Sequence, residues 1–331
     1  MRLLVCGGAG FIGSNFVRIR RREHGDEVTV LDKLTYAGRK ENLHDVIDEV
    51  RFVHGAIEDP VAVAEAVKGA EAIVNFAAET HVDRSISGPE AFIMTNMQGT
   101  HVLLEAAREH GLRYLQVSTD EVYGSIEEGS FTETSPLAPS SPYSATKTGA
   151  DLLVASYVHT YGLEAVICRG SNNYGPYQYP EKMIPLMILN ALAGDQLPVY
   201  GDGRNVRNWL YVEDFGRGIG HALQHGRPGE VYNCGGPDEC ENIEVVTRII
   251  ELCSADQSLI EFVTDRAGHD RRYSLSSQKL RALGWEPRVH FEQGLAETVN
   301  WYREHAWWWE PIRSGAYREY YERQYGRALK S

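Results

Sequence analysis

A glycine-rich turn near the start of the chain constrains the fold more than any other feature. The apolar run at residues 2–5 leads into the sequence CGGAGFIG at residues 6–13, and a helical stretch follows at residues 14–22. Glycines let the backbone adopt positive φ and approach a ligand closely, while the free N–H groups at the start of a helix attract anionic groups. This context predicts a strand, a turn and a helix that bind the pyrophosphate of a dinucleotide.

A carboxylate follows the second apolar run of the chain. Residues 28–31 end in Asp32, roughly 20 residues beyond the glycines, where such folds place the group that binds the adenosine ribose hydroxyls. A free 2′-hydroxyl satisfies this carboxylate, whereas a 2′-phosphate is repelled by it. NAD is therefore favoured over NADP, although Lys33 next to Asp32 weakens the discrimination. The alternative is a glycine turn that binds no ligand.

Apolar strand candidates alternate with helical patterns through the first half of the chain. The further strand candidates are residues 50–54, 72–76, 114–118 and 164–169, and the helical stretches between them are residues 60–68, 89–110 and 141–161. Ser141 and Pro142 suit the cap and the first turn of the last of these helices. The alternation predicts an α/β fold, a Rossmann-type doubly wound parallel sheet that binds ligands at the carboxyl ends of its strands.

The pattern changes after residue 169, where loops rich in Gly, Pro, Asn and Tyr are broken by short elements. This change predicts a smaller, mostly C-terminal α/β lobe for the substrate. The apolar segment 230–234 resembles a strand that returns to the first lobe, so the two lobes interleave in sequence. We expect a dinucleotide-binding domain at residues 1–170 with a returning segment at about 208–235, and a substrate lobe at residues 171–207 and 236–331.

Charge and cysteine content limit the partners and the compartment. The formal net charge of -13 opposes binding to nucleic acid or to an anionic membrane surface, since both need a basic field. The five cysteines include no C-x-x-C pair and indicate buried thiols in a reducing compartment. No stretch reaches the apolar length that spans a bilayer, and the first strand leaves no room for a removable signal peptide. We expect a cytoplasmic protein and, because the twelve histidines lack metal-ligand spacing, no metal.

Two further motifs carry acid and base groups. Tyr143 and Lys147 lie four residues apart on a predicted helix, so both side chains reach one ligand. A phenol has an ordinary pKa of about 10, and a nearby ammonium group lowers that pKa toward the range of a useful base. The string Thr119-Asp120-Glu121 follows a predicted strand, which brings it to the same edge of the sheet. In isolation, these motifs also occur as a helical coincidence and as a solvated turn.

The glycine turn, the Tyr-x-x-x-Lys pair and the order of strands and helices resemble the extended short-chain dehydrogenase/reductase family. Six strings narrow this resemblance to the dTDP-glucose 4,6-dehydratases: FAAETHVDRSI at 76–86, STDEVYG at 118–124, SNNYGPY at 171–177, PEKMIP at 180–185, WLYVED at 209–214 and DRAGHDRRY at 265–273. The resemblance runs from residue 1 to about residue 309. The Asp120-Glu121 pair is its most specific element, because sugar-nucleotide 4-epimerases usually carry small hydroxyl residues there.

The resemblance implies a lyase reaction in which NAD is used and restored. Tyr143, kept ionised by Lys147 and the positive nicotinamide, takes the proton of the C4 hydroxyl while the C4 hydride moves to NAD. Glu121 then removes the C5 proton, Asp120 donates a proton to the departing C6 hydroxyl, the hydride returns to C6, and a proton returns to C5. Thr119 binds the C4 oxygen. The reaction expected from the resemblance converts dTDP-D-glucose to dTDP-4-keto-6-deoxy-D-glucose, as in deoxysugar biosynthesis.

The resemblance also assigns the residues of the site. The expected catalytic residues are Thr119, Asp120, Glu121, Tyr143 and Lys147. The expected cofactor-binding residues are Gly7, Gly10, Phe11, Ile12, Gly13, Asp32, Lys33, Leu34, Thr35, Ile57, Phe76, Ala77, Ala78, Thr95, Tyr143, Lys147 and Asn173. The expected substrate-binding residues are Thr80, Thr119, Asn172, Lys182, Met183, Pro198, Tyr200, Arg207, Asn242, Arg266, His269 and Asp270. The guanidinium groups among them suit a diphosphate.

One departure from the family pattern concerns the adenine. The family commonly carries an Asp-Ile pair near this ring, and the corresponding pair here is Ala56-Ile57. The direct contact of an aspartate with the adenine amino group is therefore in doubt, and Glu58 and Asp59 are the candidates to replace it.

The resemblance also implies a homodimer, in which the helices that begin near Pro89 and Pro142 form a four-helix bundle. The alternatives are another sugar-nucleotide 4,6-dehydratase with a UDP-linked or GDP-linked substrate, a 4-epimerase, and a non-catalytic NAD-binding regulator. A pure binding module has no need for the complete set of five catalytic residues. The sequence does not encode which pathway takes the product.

Overall fold

The chain folds around a seven-stranded parallel sheet. In this computed structural model, which describes residues 1–265, 269–314 and 321, the strands of this sheet follow the order β10, β6, β5, β4, β1, β2, β3. These strands are β1 Arg2–Cys6, β2 Glu27–Asp32, β3 Arg51–His54, β4 Ala72–Asn75, β5 Arg113–Thr119, β6 Ala165–Gly170 and β10 Val231–Cys234. Strand β1 pairs with β2 on one side and with β4 on the other, so the strand order reverses at β1. The glycine turn directly follows β1 and therefore lies at this reversal. The predicted Rossmann-type α/β fold is confirmed.

Helices cover both faces of this sheet and bury its apolar side chains. The helices are α1 Phe11–His24, α2 Pro60–Ala66, α3 Val82–Ser87, α4 Glu90–Phe92, α5 Thr100–His110, α6 Pro142–Tyr161, α7 Met183–Ala193, α8 Val212–His225, α9 Asn242–Cys253, α10 Gln278–Arg281, α11 Phe291–Glu304 and α12 Ala306–Trp309. Phe16 of α1 and Phe215 of α8 belong to the core on one face, whereas Leu103 of α5 and Val154 of α6 belong to the core on the other. None of the helices in the described ranges is long and apolar enough to cross a membrane.

The later part of the chain builds two smaller sheets. One contains β7 Asn172–Tyr174, β9 Val206–Tyr211 and β11 Asp238–Glu241, and the other contains β8 Leu197–Tyr200 and β12 Ile260–Val263. A separate core forms between these sheets and α7, α9 and α11. Strand β9 pairs with β7 and β11, so the segment predicted to return at about residue 208 does so only from α8 onward.

One predicted helix differs from the expectation in its internal geometry. The stretch 89–110 is not a single α-helix, because the π-helical segment Ile93–Gly99 separates α4 from α5. Side-chain bonds hold this wider segment: Asn96 Nδ2 donates to Thr146 Oγ1 at 3.0 Å, and Asn96 Oδ1 accepts from the N–H of Glu79 at 2.9 Å. Such segments are frequent at functional sites, and this one carries Thr95 toward the cavity described below.

Candidate active site

A cavity of about 310 Å³ lies at the carboxyl edge of the large sheet, beside the glycine turn. Gly7 has φ 72°, and a Cβ atom there would lie 2.6 Å from the backbone nitrogen of Ala77. Only glycine therefore lets the turn pack against the loop that follows β4. Helix α1 begins at the turn, its cap Gly10 has no side chain, and no acidic residue occupies its first turn. The positive end of this helix is thus left for an anionic ligand, which fits the pyrophosphate of a dinucleotide.

All but one of the predicted cofactor-binding residues line this cavity. They are Gly7, Gly10, Phe11, Ile12, Gly13, Asp32, Lys33, Thr35, Ile57, Phe76, Ala77, Ala78, Thr95, Tyr143, Lys147 and Asn173. Leu34 is the exception, because its side chain packs against the core of the large sheet and is not among those that line the cavity; its contact with the cofactor stays a prediction. Leu34 adopts a positive φ of 54°, and its N–H donates to Asp32 Oδ1 at 2.9 Å.

Asp32 is held in place by two backbone donors. Its Oδ2 accepts from the N–H of Ala9 at 2.9 Å, and its Oδ1 accepts from Leu34. Burial raises the pKa of this carboxyl, and the two N–H donors oppose that shift. Gly38 leaves the carboxylate the space it needs, since a Cβ atom there would lie 2.6 Å from Asp32 Oδ1. The carboxylate faces the cavity where a ribose would lie.

The charge of Lys33 is compensated by its neighbours. Lys33 Nζ donates to Thr95 Oγ1 at 2.8 Å and forms ion pairs with Glu58 at 3.3 Å and Glu79 at 3.6 Å. Because these partners compensate its charge, Lys33 offsets little of the repulsion between Asp32 and a 2′-phosphate. Its position next to Asp32 in the sequence implies a larger effect. Neither of the two candidates for the adenine contact lines the cavity: Glu58 binds Lys33, and Asp59 caps α2 by accepting from the N–H of Val61 at 2.9 Å.

The predicted acid and base pair follows β5 directly. Thr119 ends this strand, and Asp120 and Glu121 begin a short 3-10 turn, Asp120–Tyr123, at the same edge of the sheet. Asp120 is buried, and its pKa rises to about 7, first because of desolvation and then because of the neighbouring Glu121. The Thr119 hydroxyl donates to Asp120 Oδ1 at 3.2 Å, while no described residue forms a hydrogen bond with the buried Asp120 Oδ2. A carboxyl with this pKa is protonated in a large fraction of the molecules at neutral pH, so it can act as an acid.

Tyr143 and Lys147 face the same cavity from α6. Helix α6 begins as predicted, with Ser141 as its cap and Pro142 in the first turn. Lys147 Nζ donates to the carbonyl oxygen of Val117 at 2.7 Å, and burial lowers the Lys147 pKa to about 8.

Burial and nearby carboxyls set the pKa of Tyr143, and the expected ionisation of its phenol by Lys147 and the nicotinamide stays a prediction. Desolvation raises the pKa of Tyr143 well above its ordinary value, and the carboxyls of Glu121 and Asp120 raise it further. A hydrogen bond with Thr119 opposes this shift.

A second cavity of about 200 Å³ adjoins the first. Glu121, Asn172 and Lys182 are among the residues that line both cavities, so Glu121 lies where the two meet and Asp120 lies beside it in the first cavity. The predicted substrate-binding residues in the second cavity are Thr80, Asn172, Lys182, Met183, Pro198, Tyr200, Arg207, Asn242 and His269. Thr119 lines the first cavity, and Arg266 lies outside the described residues.

The side chain of Asp270 is not among those that line either cavity, and its contact with the substrate stays a prediction. Its Oδ2 accepts hydrogen bonds from Ser140 Oγ at 2.7 Å and from the Tyr273 hydroxyl. Its backbone oxygen accepts from Arg207 Nη2 at 3.0 Å, and the guanidinium of Arg207 lies 4.5 Å from the ring centre of Tyr273. The backbone oxygen of Asp270 therefore helps to hold the guanidinium of Arg207 in place.

Buried polar atoms show where a polar ligand fits in the second cavity. Within the described ranges, Asn172 Oδ1 and Asn242 Oδ1 are buried without a hydrogen-bond partner. Arg207 is only 5% exposed. Buried polar groups are normally paired, so the two amide oxygens indicate a ligand with hydrogen-bond donors. The guanidinium of Arg207 in the cavity wall suits an anionic group on that ligand. Among the described residues, no group of three or more His, Cys, Asp or Glu is placed to hold a metal.

The sequence did not indicate a cluster of side chains between the two cavities. The rings of Tyr36 and Tyr179 lie 5.2 Å apart, and the guanidinium carbon of Arg84 lies 4.0 Å from the ring centre of Tyr36. Glu181, which lines both cavities, accepts a hydrogen bond from Arg84 at 3.0 Å. Their positions were the signal that could have indicated this cluster: Tyr36 follows Thr35, Tyr179 precedes the string PEKMIP, and Arg84 and Glu181 lie within strings already quoted.

A parallel sheet with a glycine turn, a ribose-facing carboxylate and a Tyr/Lys pair at one edge defines a dinucleotide-dependent enzyme of the extended short-chain dehydrogenase/reductase class. A family model described as GDP-mannose 4,6 dehydratase matches residues 4–298. A protein of Streptomyces niveus named dTDP-glucose 4,6-dehydratase is 53% identical over 323 residues, which cover 95% of this chain and 96% of that protein. The chain therefore belongs to this family of sugar-nucleotide 4,6-dehydratases, and the predicted resemblance is confirmed.

Two further relatives extend this comparison. The low-salt glycan biosynthesis protein Agl12 of Haloferax volcanii is 54% identical over 305 residues, which cover 91% of this chain and 98% of that protein. The crystal structure of DesIV, a dTDP-glucose 4,6-dehydratase from Streptomyces venezuelae with NAD bound, matches with a TM-score of 0.92 and 53% identity. The match covers 94% of this chain and 100% of that one.

Proposed function

We propose that this chain is an NAD-dependent lyase that dehydrates dTDP-D-glucose to dTDP-4-keto-6-deoxy-D-glucose. One observation carries the proposal: Asp120 and Glu121 lie together at the junction of the two cavities, and the pKa of Asp120 is raised to about 7. A dehydratase needs an acid and a base beyond the group that deprotonates the C4 hydroxyl, and this pair supplies both. Family membership and the names of the relatives support the same reaction.

NAD bound in the first cavity would accept the C4 hydride of the glucose unit and later return it to C6. Tyr143 takes the proton of the C4 hydroxyl, and Thr119, which hydrogen-bonds Tyr143, positions the C4 oxygen. Glu121 removes the proton at C5, which the C4 ketone has made acidic. Asp120 gives its proton to the C6 hydroxyl, which leaves as water, and a proton returns to C5 when the hydride returns to C6. Adjacent carboxyls perform opposite duties here because burial keeps the proton on Asp120.

The second cavity supports a sugar-nucleotide diphosphate as the substrate. Arg207 presents a planar fork of donors to phosphate oxygens, and Asn172 and Asn242 offer unpaired acceptors to hydroxyl or base N–H groups. UDP-linked and GDP-linked substrates are the alternatives, since both share the diphosphate. A 4-epimerase does not require the Asp120-Glu121 pair, and a non-catalytic regulator requires neither this pair nor the Tyr/Lys pair.

A substrate panel tests the proposal. The protein is incubated separately with dTDP-glucose, UDP-glucose and GDP-mannose, and formation of the 4-keto-6-deoxy product is followed by mass spectrometry. We expect dTDP-glucose to react with the highest kcat/KM. A loss of the mass of one water molecule distinguishes dehydration from epimerisation, which leaves the mass unchanged. Preferential turnover of another nucleotide would refute the base assignment, and an unchanged mass would refute the dehydration.

We further propose a homodimer in which the helical segments 90–110 and 142–161 of both copies form a four-helix bundle. Ile93 and Met94 of the first segment are 50% and 46% exposed, and Leu152 and Tyr161 of the second are 58% and 55% exposed. Large exposed apolar side chains on two adjacent helices support a covered surface. Sedimentation at micromolar concentration is expected to give the mass of two chains, and a monomer would contradict the proposal. The cytoplasmic location stays a prediction.

A further inference from the structure

A buried asparagine behind the first cavity joins the glycine turn to the loop that follows β2. Asn42 lies in the 3-10 turn Lys40–Leu43 and is 1% exposed. Its Nδ2 donates to the carbonyl oxygen of Ala9 at 2.7 Å and to that of Ala37 at 3.3 Å. Ala9 belongs to the glycine turn, and Ala37 lines the cavity. One amide group therefore fixes two segments of the cavity wall relative to each other.

The orientation of this amide is set from a distant part of the chain. The indole Nε1–H of Trp308, 266 residues away, donates to Asn42 Oδ1 at 2.7 Å. The Trp308 ring is buried against Tyr177 and Trp301, with ring centres 5.6 Å and 5.2 Å away. Because the indole can only donate, it selects the amide orientation that keeps the oxygen toward Trp308 and the NH₂ group toward the two carbonyls. Arg39 Nη1 adds a second link by donating to the carbonyl oxygen of Trp308 at 3.1 Å.

The peptide group of Ala9 is consequently held on both sides. Its N–H donates to Asp32 Oδ2 at 2.9 Å, and its carbonyl oxygen accepts from Asn42 and from the Arg39 N–H at 3.0 Å. We propose that Asn42 and Trp308 are positioning residues, through which the C-terminal segment fixes the glycine turn and the ribose-binding carboxylate and so slows the loss of bound NAD. This inference rests on the proposed NAD site, and it adds a role for residues that line neither cavity.

Exchange of bound NAD tests the inference on the intact protein. The holoenzyme is loaded with radiolabelled NAD, and loss of the label is followed after addition of excess unlabelled NAD. Trp308→Phe keeps an aromatic ring but removes the indole donor, so we expect about tenfold faster exchange, equivalent to about 1.4 kcal/mol. At saturating NAD, kcat and the KM for the sugar nucleotide should stay within about twofold of wild type, because the substrate cavity is untouched.

Trp309→Phe is the matched control. Trp309 Nε1 also donates at 2.7 Å, but to the carbonyl oxygen of Tyr302 and away from the glycine turn. This variant should exchange NAD at the wild-type rate, and equal rates in the two variants would overturn the inference.

A second variant distinguishes positioning from loss of packing. Asn42→Asp keeps an oxygen for Trp308 but directs a carboxylate oxygen at two carbonyls, and should exchange NAD faster than Trp308→Phe. In the double variant the two effects should be less than additive, because both act on one hydrogen-bond chain. Full additivity would overturn the inference. A wild-type protein that retains no label would overturn the proposed NAD site as well.

Discussion

Replacement of Asp120 by Asn should stabilise the protein, and the gain should depend on pH. Asp120 is 2% exposed, and its pKa is raised from 3.8 to about 7 by desolvation and by Glu121. The folded protein therefore holds this proton more tightly than the unfolded chain does. The stability that this preference contributes is complete below about pH 4 and is lost as the pH rises through about 7. The difference between the two pKa values corresponds to about 4 kcal/mol at high pH.

The magnitude can be worked out for two convenient pH values. At pH 5 the folded protein keeps its proton while the unfolded chain has largely lost it, which costs about 2 kcal/mol. At pH 8 both states are largely ionised, and the cost approaches about 4 kcal/mol. The amide that replaces the carboxyl has no charge to bury, so the variant should gain about 2–3 kcal/mol relative to wild type between these pH values.

Urea unfolding of both proteins at pH 5 and pH 8 measures this gain. Protein concentration and saturating NAD are held constant, because bound ligand and association also shift stability. Asp202→Asn is the control: the Asp202 pKa is lowered to about 2, chiefly by the Arg271 hydrogen bond, so Asp202 is ionised in both states across this range. Its effect should not change between pH 5 and pH 8. An Asp120→Asn effect that is equally independent of pH would refute the burial argument.

The same substitution should remove the acid of the elimination step. Loss of a positioned general acid typically costs a factor of about 10²–10⁴ in rate. If the variant is more stable and less active at pH 8, the burial of Asp120 lowers the stability of the protein but serves the reaction. Wild-type turnover should also decline as the pH rises above about 7, because Asp120 then loses its proton.

Three further substitutions test separate roles. Glu121→Gln should abolish exchange of the C5 hydrogen with deuterated solvent, followed by NMR, while NAD exchange stays at the wild-type rate; retained C5 exchange would refute the base assignment. Tyr143→Phe should lower kcat about 10²-fold or more with little change in substrate KM, measured by product formation. A wild-type kcat would remove Tyr143 from the mechanism. Arg207→Lys keeps the charge but loses the planar fork, so the substrate KM should rise about tenfold with kcat nearly unchanged, and an unchanged KM would refute the diphosphate contact.

Local signals in the sequence were sufficient for the large sheet and for most of the first cavity. The glycine turn, Asp32 and the Tyr143/Lys147 pair lie directly at the ends or starts of elements, so their positions follow from the βαβ order. Leu34 is absent from the cavity wall because adjacent residues in a turn point in different directions, and this side chain packs against the core of the large sheet. The Asp270 side chain accepts hydrogen bonds from Ser140 and from the Tyr273 hydroxyl, and the sequence indicated neither partner.

Other features depend on partners that are remote in sequence and could not be predicted from it. The π-helical segment is held by Asn96 through bonds to residues 17 and 50 positions away. The bond between Asn42 and Trp308 spans nearly the whole chain. The ring of Trp308 packs against Trp301, but its indole donor also binds Asn42, and no periodicity in the sequence reveals that bond.

The groups around Tyr143 bear on how the reaction would begin. Burial works against both charged forms of the Tyr143/Lys147 pair: it raises the pKa of the Tyr143 phenol and lowers that of the Lys147 ammonium to about 8. Glu121 and Asp120 raise the phenol pKa further, so the carboxyls proposed for the elimination oppose ionisation of the phenol. A positive charge beside the phenol would lower its pKa. We therefore propose that the positive nicotinamide ring of bound NAD would favour deprotonation of the C4 hydroxyl by Tyr143.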